Sequence, residues 1–185
     1  MRVIAGVYKG RTLQAPAWDG LRPTSDRLRE TLFNIVAPRI EGARVLDVCA
    51  GTGAVGIEAL SRGAAAVTFV EEDRRAVALI EANLRKCQIG EGYTIDRRSA
   101  LARAAVFPGG PFDIVFLDPP YAQRTLEPWL DVAASHVAPG GLVVFEHASR
   151  VEAPTSHECL VLTRRVRQGD SALTFYVPGP AGMET

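Results

Sequence analysis

Asp118-Pro119-Pro120-Tyr121 sets a carboxylate, an unobstructed backbone carbonyl and a flat aromatic ring in succession, directly after the apolar run Ile114-Val115-Phe116-Leu117. A carboxylate and a carbonyl can each accept one N–H of a planar amine, and a ring can stack on the plane that carries it. Together these groups are suited to holding a conjugated nitrogen flat and drawing its lone pair outward. Two consecutive prolines stop the strand and stiffen the loop, since each fixes its own φ and restricts the residue before it. Taken alone, the four residues read equally well as a proline-rich turn after a strand.

A second set lies upstream. In Asp47-Val48-Cys49-Ala50-Gly51-Thr52-Gly53-Ala54-Val55-Gly56, the residues Gly51, Gly53 and Gly56 satisfy the GxGxxG pattern. Glu71 falls where a ribose-binding acid belongs in a dinucleotide site. To this point a nicotinamide-dependent oxidoreductase fits as well as anything. Asp47 separates the readings, because a carboxylate four residues before Gly51 offers nothing to a pyrophosphate. It can orient the loop, or meet the cationic amino-acid moiety of S-adenosylmethionine, whose sulfonium and ammonium are positive; Glu71 would hold that ligand's ribose. A plain loop or helix cap is the alternative for Asp47. The oxidoreductase reading also leaves Asp118-Pro119-Pro120-Tyr121 without a role.

The elements that must position these residues follow from periodicity. Strands are expected at 44–48, 66–70, 93–95, 113–117 and 141–145, and helices at 54–61, 74–86, 99–106 and 126–137, from near-continuous apolar runs alternating with helical spacing. Alternation with right-handed crossovers implies an α/β doubly wound, mostly parallel sheet. Ligands bind such sheets at their carboxyl edge, where Asp47, Glu71 and Asp118 all fall. Residues 159–166 and 173–177, separated by Gln168-Gly169-Asp170, read as an antiparallel hairpin closing one edge, and 179–185 as a loose tail. Upstream, residues 2–15 read as a β-hairpin turning at Lys9-Gly10, and Ser25 or Thr24 can cap a helix that Pro38 ends. The organisation is then an N-terminal hairpin and helix extension over 1–39 and a Rossmann-like domain over 40–178.

Composition bounds the rest. The chain has 185 residues, 47% hydrophobic and 23% charged, with a net charge of zero. That suits one well-buried domain plus a small appendage. No apolar run reaches the roughly 20 residues of a membrane span, and the N-terminus lacks a secretory h-region, so a cytoplasmic protein without membrane contact is expected. Cys49, Cys87 and Cys159 are too scattered for a disulfide framework or a metal site, and no metal is expected. Residues 1–39 carry a net charge of +4 and the remainder −4. A basic arm of this kind can track nucleic-acid phosphates through Lys9, Arg11, Arg27 and Arg29, although solvated arginines would look the same. Arg27 and Asn34 can equally brace the cofactor loop. Arg164, Arg165 and Arg167 read as edge-strand charges that deter aggregation.

Arg22-Pro23-Thr24-Ser25-Asp26-Arg27-Leu28-Arg29-Glu30-Thr31-Leu32-Phe33-Asn34-Ile35 resembles the signature helix of the RsmD-type 16S rRNA (guanine-N2)-methyltransferase family. Leu46 to Gly63, Phe69-Val70-Glu71, Asp118 to Tyr121 and Gln168 to Tyr176 resemble that family's later motifs in order and spacing. The likeness spans nearly the whole chain. It implies a seven-stranded class I S-adenosylmethionine-dependent methyltransferase sheet with the last strand antiparallel. It also implies an S-adenosylmethionine donor, an S-adenosylhomocysteine product, and N2-methylguanine formed in 16S rRNA on a small-subunit assembly intermediate or subunit. Two positions depart from the pattern: Cys49 stands where a phenylalanine is common, and Ser99 where an acid or amide usually receives the adenine amine. Ser99 can still accept that bond through its hydroxyl.

The site residues expected are therefore Asp118, Pro119 and Tyr121 for catalysis, and Asp47, Gly51, Gly53, Glu71, Ser99 and Asp118 for the cofactor, in a monomer. A methyltransferase acting on adenine N6 in DNA or on a protein glutamine would reuse the same carboxyl-edge groups. A non-catalytic RNA-binding module would explain the basic arm but not the convergence of Asp47, Glu71 and Asp118.

Overall fold

Strands whose residues are apolar on both sides must be covered on both faces, and this chain supplies the cover from alternating helices. A computed structural model describes residues 1–18, 25–102, 105–120 and 125–179. The elements run α1 (Asp26–Ile40), β1 (Arg44–Val48), α2 (Ala54–Ser61), β2 (Ala66–Val70), α3 (Arg74–Lys86), β3 (Tyr93–Asp96), β4 (Phe112–Leu117), α4 (Glu127–His136), β5 (Val137–Ala148), β6 (Ser156–His157), β7 (Leu160–Gln168) and β8 (Ser171–Pro178). They form one sheet of eight strands in the order β3-β2-β1-β4-β5-β8-β7-β6. The first five strands pair in parallel, and β8 enters antiparallel between β5 and β7. This is the expected doubly wound, mostly parallel sheet, with eight strands where seven were expected; the extra one is the two-residue β6, paired to the start of β7. Beyond that short pairing β7 is an outer strand, and Arg164 and Arg167 are exposed along it.

Two apolar layers sandwich the sheet. Leu28, Phe33, Ile57, Ile80, Phe69, Phe116 and Val144 pack on the face carrying α1, α2 and α3. Leu117, Trp129, Leu130, Val143 and Phe145 pack on the face carrying α4. Each such fully buried side chain is worth about 1.5–3 kcal/mol relative to exposure. Val3 and Leu13 belong to the first layer, so the N-terminal segment is part of the packed body.

Several local expectations change. The N-terminal segment is a short, irregular hairpin: besides the antiparallel bridge of Arg2 to Thr12, Val3 N donates to Arg11 O and Gly10 N to Val3 O at 2.9 Å each, and Leu13 N to Met1 O at 3.1 Å. The donors between the arms go to α2: Ile4 N and Ala5 N donate to the Glu58 carboxylate at 2.7 and 3.0 Å, and Val7 N and Tyr8 N to the Ser61 carbonyl and hydroxyl at 2.8 and 3.0 Å. The segment is a strap bound across α2. α1 runs through Pro38 to Ile40, since a proline there removes only one ladder bond near the helix end. No helix forms among the described residues of 99–106; Ala102 N donates to the Ser99 carbonyl in a turn. β5 extends to Ala148 because β8 pairs with it that far, so Glu146 lies inside the strand. No helix among the described residues is long and apolar enough to cross a membrane.

Candidate active site

Register alone brings the predicted residues to one line. Val48 at the end of β1 pairs with Val70 of β2 and Leu117 of β4, and Leu117 pairs with Phe145 of β5. The next residues along are Glu71, Cys49, Asp118 and Glu146. The ladder continues past the strand ends: Glu71 N donates to Asp96 O at 3.0 Å, Ala50 N to Val70 O at 3.1 Å and Asp118 N to Val48 O at 3.2 Å. Strands lie about 4.8 Å apart, which puts the Glu71 and Asp118 backbones about 10 Å from each other across Cys49. Asp118 is half-buried, Pro119 buried and Pro120 exposed. Tyr121 lies outside the described residues, as do Arg22, Pro23 and Thr24.

The glycine loop turns between these acids. Cys49, Gly51 and Gly53, at alternate positions, have φ of 59°, 55° and 74°, left-handed values that glycine tolerates and cysteine adopts only at a cost. Gly53 is the N-cap of α2 and has no side chain with which to cap it. The missing acceptor comes from β1: Asp47 Oδ2 takes the Gly56 N–H at 2.9 Å. Gly56 has a separate reason to be glycine, since a Cβ there would sit 2.2 Å from Phe69 Cε1. Glu71 braces the same loop, accepting from Gly51 N and Asp73 N, each at 2.9 Å. Asp47 and Glu71 thus both shape the loop, and each keeps acceptor capacity for a further partner.

Burial pushes the Asp47 carboxyl up to about 8, with the Glu71 charge adding to the rise and the Gly56 N–H opposing it. The Cys49 thiol is pushed up by burial and by the charges of Glu71, Asp118, Asp47 and Glu72, which keeps it protonated and unfit as a nucleophile. With Glu71, Glu72 and Asp118 around the loop and an Asp47 carboxyl that a neighbouring cation would ionise, the site favours a cationic ligand. Ser99, half-buried, follows the pair formed by Asp96 and Arg98, whose guanidinium bonds hold the Asp96 carboxyl below its ordinary range. No His/Cys/Asp/Glu cluster among the described residues could hold a metal ion, and the three cysteines are free thiols.

The basic residues divide differently from the expectation. Arg29 is fully buried, donating to Asp26 Oδ1 at 2.9 Å and to the Arg2 carbonyl, so it does not face a ligand. Arg11 donates to the Cys87 carbonyl and stacks on Tyr8, 4.9 Å from the ring centroid. Lys9 and Arg27 are exposed, and Arg2 joins them around a groove of about 440 Å³ also lined by Val3, Ile4, Gly10, Asp26 and Glu30. None of these three cations makes an ion pair among the described residues. Asn34 is exposed on the same helix as Arg27. α1 bonds Gly140 through Arg39 at the amino end of the sheet and Gln168 through Thr31 at the carboxyl end, which sets the groove toward the carboxyl edge.

Sequence reasoning missed Arg2, Glu58 and Asn83. Glu58 is an acid inside the otherwise apolar helix Ala54–Ser61, and Asn83 an amide beside Ile80 and Leu84 on a buried stripe. A polar residue on an apolar face was the available signal.

A family model described as conserved hypothetical protein 95 matches residues 1–177. The ribosomal RNA small subunit methyltransferase D of Escherichia coli strain K12 is 37% identical over 178 residues, 95% of this chain and 89% of that one. Bacillus subtilis YlbH is 38% identical over 181 residues, 95% and 98% of the two chains. The solved structure of Escherichia coli yhhF superposes with a TM-score of 0.83 at 38% identity, covering 97% of this chain and 98% of that one. With residues 1–177 matched and identity sustained over 95% of this chain and 89% of the Escherichia coli protein, the chain belongs to the conserved hypothetical protein 95 family, the family of the ribosomal RNA small subunit methyltransferase D proteins.

Proposed function

We propose that this protein transfers a methyl group from S-adenosyl-L-methionine to the exocyclic N2 amine of a guanine in 16S rRNA, acting as a cytoplasmic monomer on a small-subunit assembly intermediate or subunit. One observation carries the reading: the Asp118-Pro119 pair stands one strand away from the glycine loop, in line with Glu71. The acceptor groups and the donor's cradle therefore share one edge.

The residues fit the donor. Asp47, Glu71 and Asp118 surround the loop with carboxylates, which suit a sulfonium and an ammonium and would repel a pyrophosphate. Glu71 would take the ribose hydroxyls and Ser99 the adenine amine, while Gly51 and Gly53 let the backbone approach closely. When bound, S-adenosylmethionine supplies a methyl carbon that accepts the nitrogen lone pair while the carbon–sulfur pair leaves with the sulfur of S-adenosylhomocysteine. Asp118 and the Pro119 carbonyl accept the two N–H groups of the guanine amine, favour a pyramidal nitrogen and aim its lone pair. Tyr121 would stack on the base. The methylated nitrogen is acidic and loses its proton to Asp118 or water, so no dedicated strong base is needed. Orientation of this kind is worth several kcal/mol, with intramolecular reactions reaching about 7–11. The target base must be unpaired or flipped. Lys9, Arg27 and Arg2 would track phosphates near the groove, with Arg29 bracing Arg2 and Asp26 through its buried hydrogen bonds and Arg11 bracing the strap.

Asp118→Ala should lower turnover at least about a thousandfold while S-adenosylhomocysteine binds within about threefold of wild type, since the acceptor's contacts are lost and the thioether of this ligand carries no charge for Asp118 to meet. Normal turnover in that variant would overturn the assignment. Mass mapping of rRNA from a deletion strain tests the nucleotide: loss of one N2-methylguanine from 16S rRNA is expected. Intact rRNA with a missing N6-methyladenine in DNA or methylglutamine in protein would move the acceptor elsewhere.

A further inference from the structure

Asn83 lies on α3, outside the glycine loop and the strand-end acids, and is fully buried. Its side-chain amide behaves as an extra peptide group. Oδ1 accepts from Gln14 N at 2.7 Å, and Nδ2 donates to Gln14 O at 3.2 Å and to Thr52 O at 2.9 Å. Both donors and the acceptor are used. Gln14 belongs to the N-terminal strap, and Thr52 stands between the two left-handed glycines of the loop, Gly51 and Gly53. The Thr52 hydroxyl also meets the Met1 sulfur at 3.8 Å, and Met1 O accepts from Leu13 N at 3.1 Å. The strap therefore grips the middle of the glycine loop from two sides, once directly and once through Asn83.

A loop with two glycines in the left-handed region has little stiffness of its own. Asp47 and Glu71 fix its two flanks, at Gly56 and Gly51. Thr52 lies between them, inside the turn that Gly53 N closes on Ala50 O at 2.8 Å, and its carbonyl and hydroxyl are held from outside the loop by Asn83 and by Met1 of the strap. Few side chains can do this. Aspartate lacks both donors, leucine and alanine lack all three groups, and glutamine adds a methylene to a site with no exposure.

We infer that Asn83 is a positioning residue for the cofactor loop, coupling cofactor occupancy to the N-terminal strap that carries Arg2, Lys9 and Arg11. This rests on the methyltransferase reading proposed for the site. A ligand that orders the loop then also orders the strap, and the coupling is reciprocal by linkage.

The test is calorimetric titration with S-adenosylhomocysteine of wild type, Asn83→Ala and Asn83→Asp, with amide hydrogen exchange on the wild type. The dissociation constant should rise about tenfold in both variants, as expected for lost buried hydrogen bonds. In wild type, S-adenosylhomocysteine should slow exchange at the Gln14 amide at least about threefold, an effect that a purely structural asparagine would not produce. Folded variants binding within twofold of wild type would overturn the inference, and so would a Gln14 amide indifferent to the ligand. If neither variant folds, the wild-type exchange decides alone. Failure of wild type to bind S-adenosylhomocysteine would instead sink the methyltransferase reading on which the inference stands.

Discussion

Asp47 shows how one side chain serves fold and chemistry together. It caps α2 in place of the absent Gly53 side chain, and burial raises its carboxyl to about 8. An unfolded aspartate titrates near 3.9. Between those values the unfolded chain releases this proton and the folded one keeps it, so the Asp47 contribution to stability is full below about pH 4 and falls as pH rises to about 8. Asp47→Asn removes that dependence. Urea unfolding should show the variant gaining on wild type from pH 5 to pH 8 and holding a constant difference above about pH 9; parallel profiles would refute it. The proposed cofactor reverses the preference, because a cation beside Asp47 favours its ionised form. Binding at pH 7 should then expel close to one proton from wild type and almost none from Asp47→Asn, read by calorimetry in buffers of differing ionisation enthalpy. Equal proton release from both would remove Asp47 from the cofactor site.

At the scale of elements, the helices Ala54–Ser61 and Arg74–Lys86 and the strand ends carrying Asp47, Glu71 and Asp118 were legible because their signals are local: apolar periodicity, glycines at a turn, an acid at a strand exit. The strap was not legible as a strap. Its partners are Glu58, 54 positions from Ile4, and Asn83, 69 positions from Gln14, and no short-range pattern encodes such pairings. The same blindness placed Arg29 on a ligand-facing surface, because helical spacing gives a face without saying what covers it. Gly6 marks where the strap meets α2: with φ at 82°, a Cβ there would lie 1.7 Å from the Ser61 carbonyl oxygen. Gly6→Ala must therefore lift the strap from α2. The left-handed backbone costs about 1–2 kcal/mol before the clash is counted. Thermal unfolding should fall by several degrees, and S-adenosylhomocysteine should bind more weakly through the released Thr52. Gly10→Ala, with φ at 83° and no atom within 4 Å of its Cβ, carries the backbone cost alone and should leave ligand binding unchanged. Equal binding by the two variants would show that the strap's seat on α2 does not reach the loop.

The whole molecule is electrically neutral, yet its charge is sorted: the N-terminal 39 residues carry +4 and the rest −4. Carboxylates crowd the carboxyl edge where the cofactor is proposed to bind, while Arg2, Lys9 and Arg27 ring the neighbouring groove without ion-pair partners among the described residues. Such an arrangement attracts a polyanion to one place and repels it from the rest, which makes orientation, more than affinity, the product of the charge. About three phosphate contacts on single-stranded RNA give a slope near −2 for log K against log salt. That is shallow, and it implies weak binding to naked RNA at physiological ionic strength. A subunit or assembly intermediate adds protein surface and a fixed RNA shape, so methylation should be much faster on that particle than on free 16S rRNA. Lys9→Glu combined with Arg27→Glu should reduce the salt slope on RNA by about 1.4 while leaving S-adenosylhomocysteine affinity intact, because among the described residues neither side chain bonds the glycine loop. A variant that keeps the wild-type slope would place the RNA path away from this groove, and equal rates on free rRNA and on the particle would show that the small cationic patch suffices by itself.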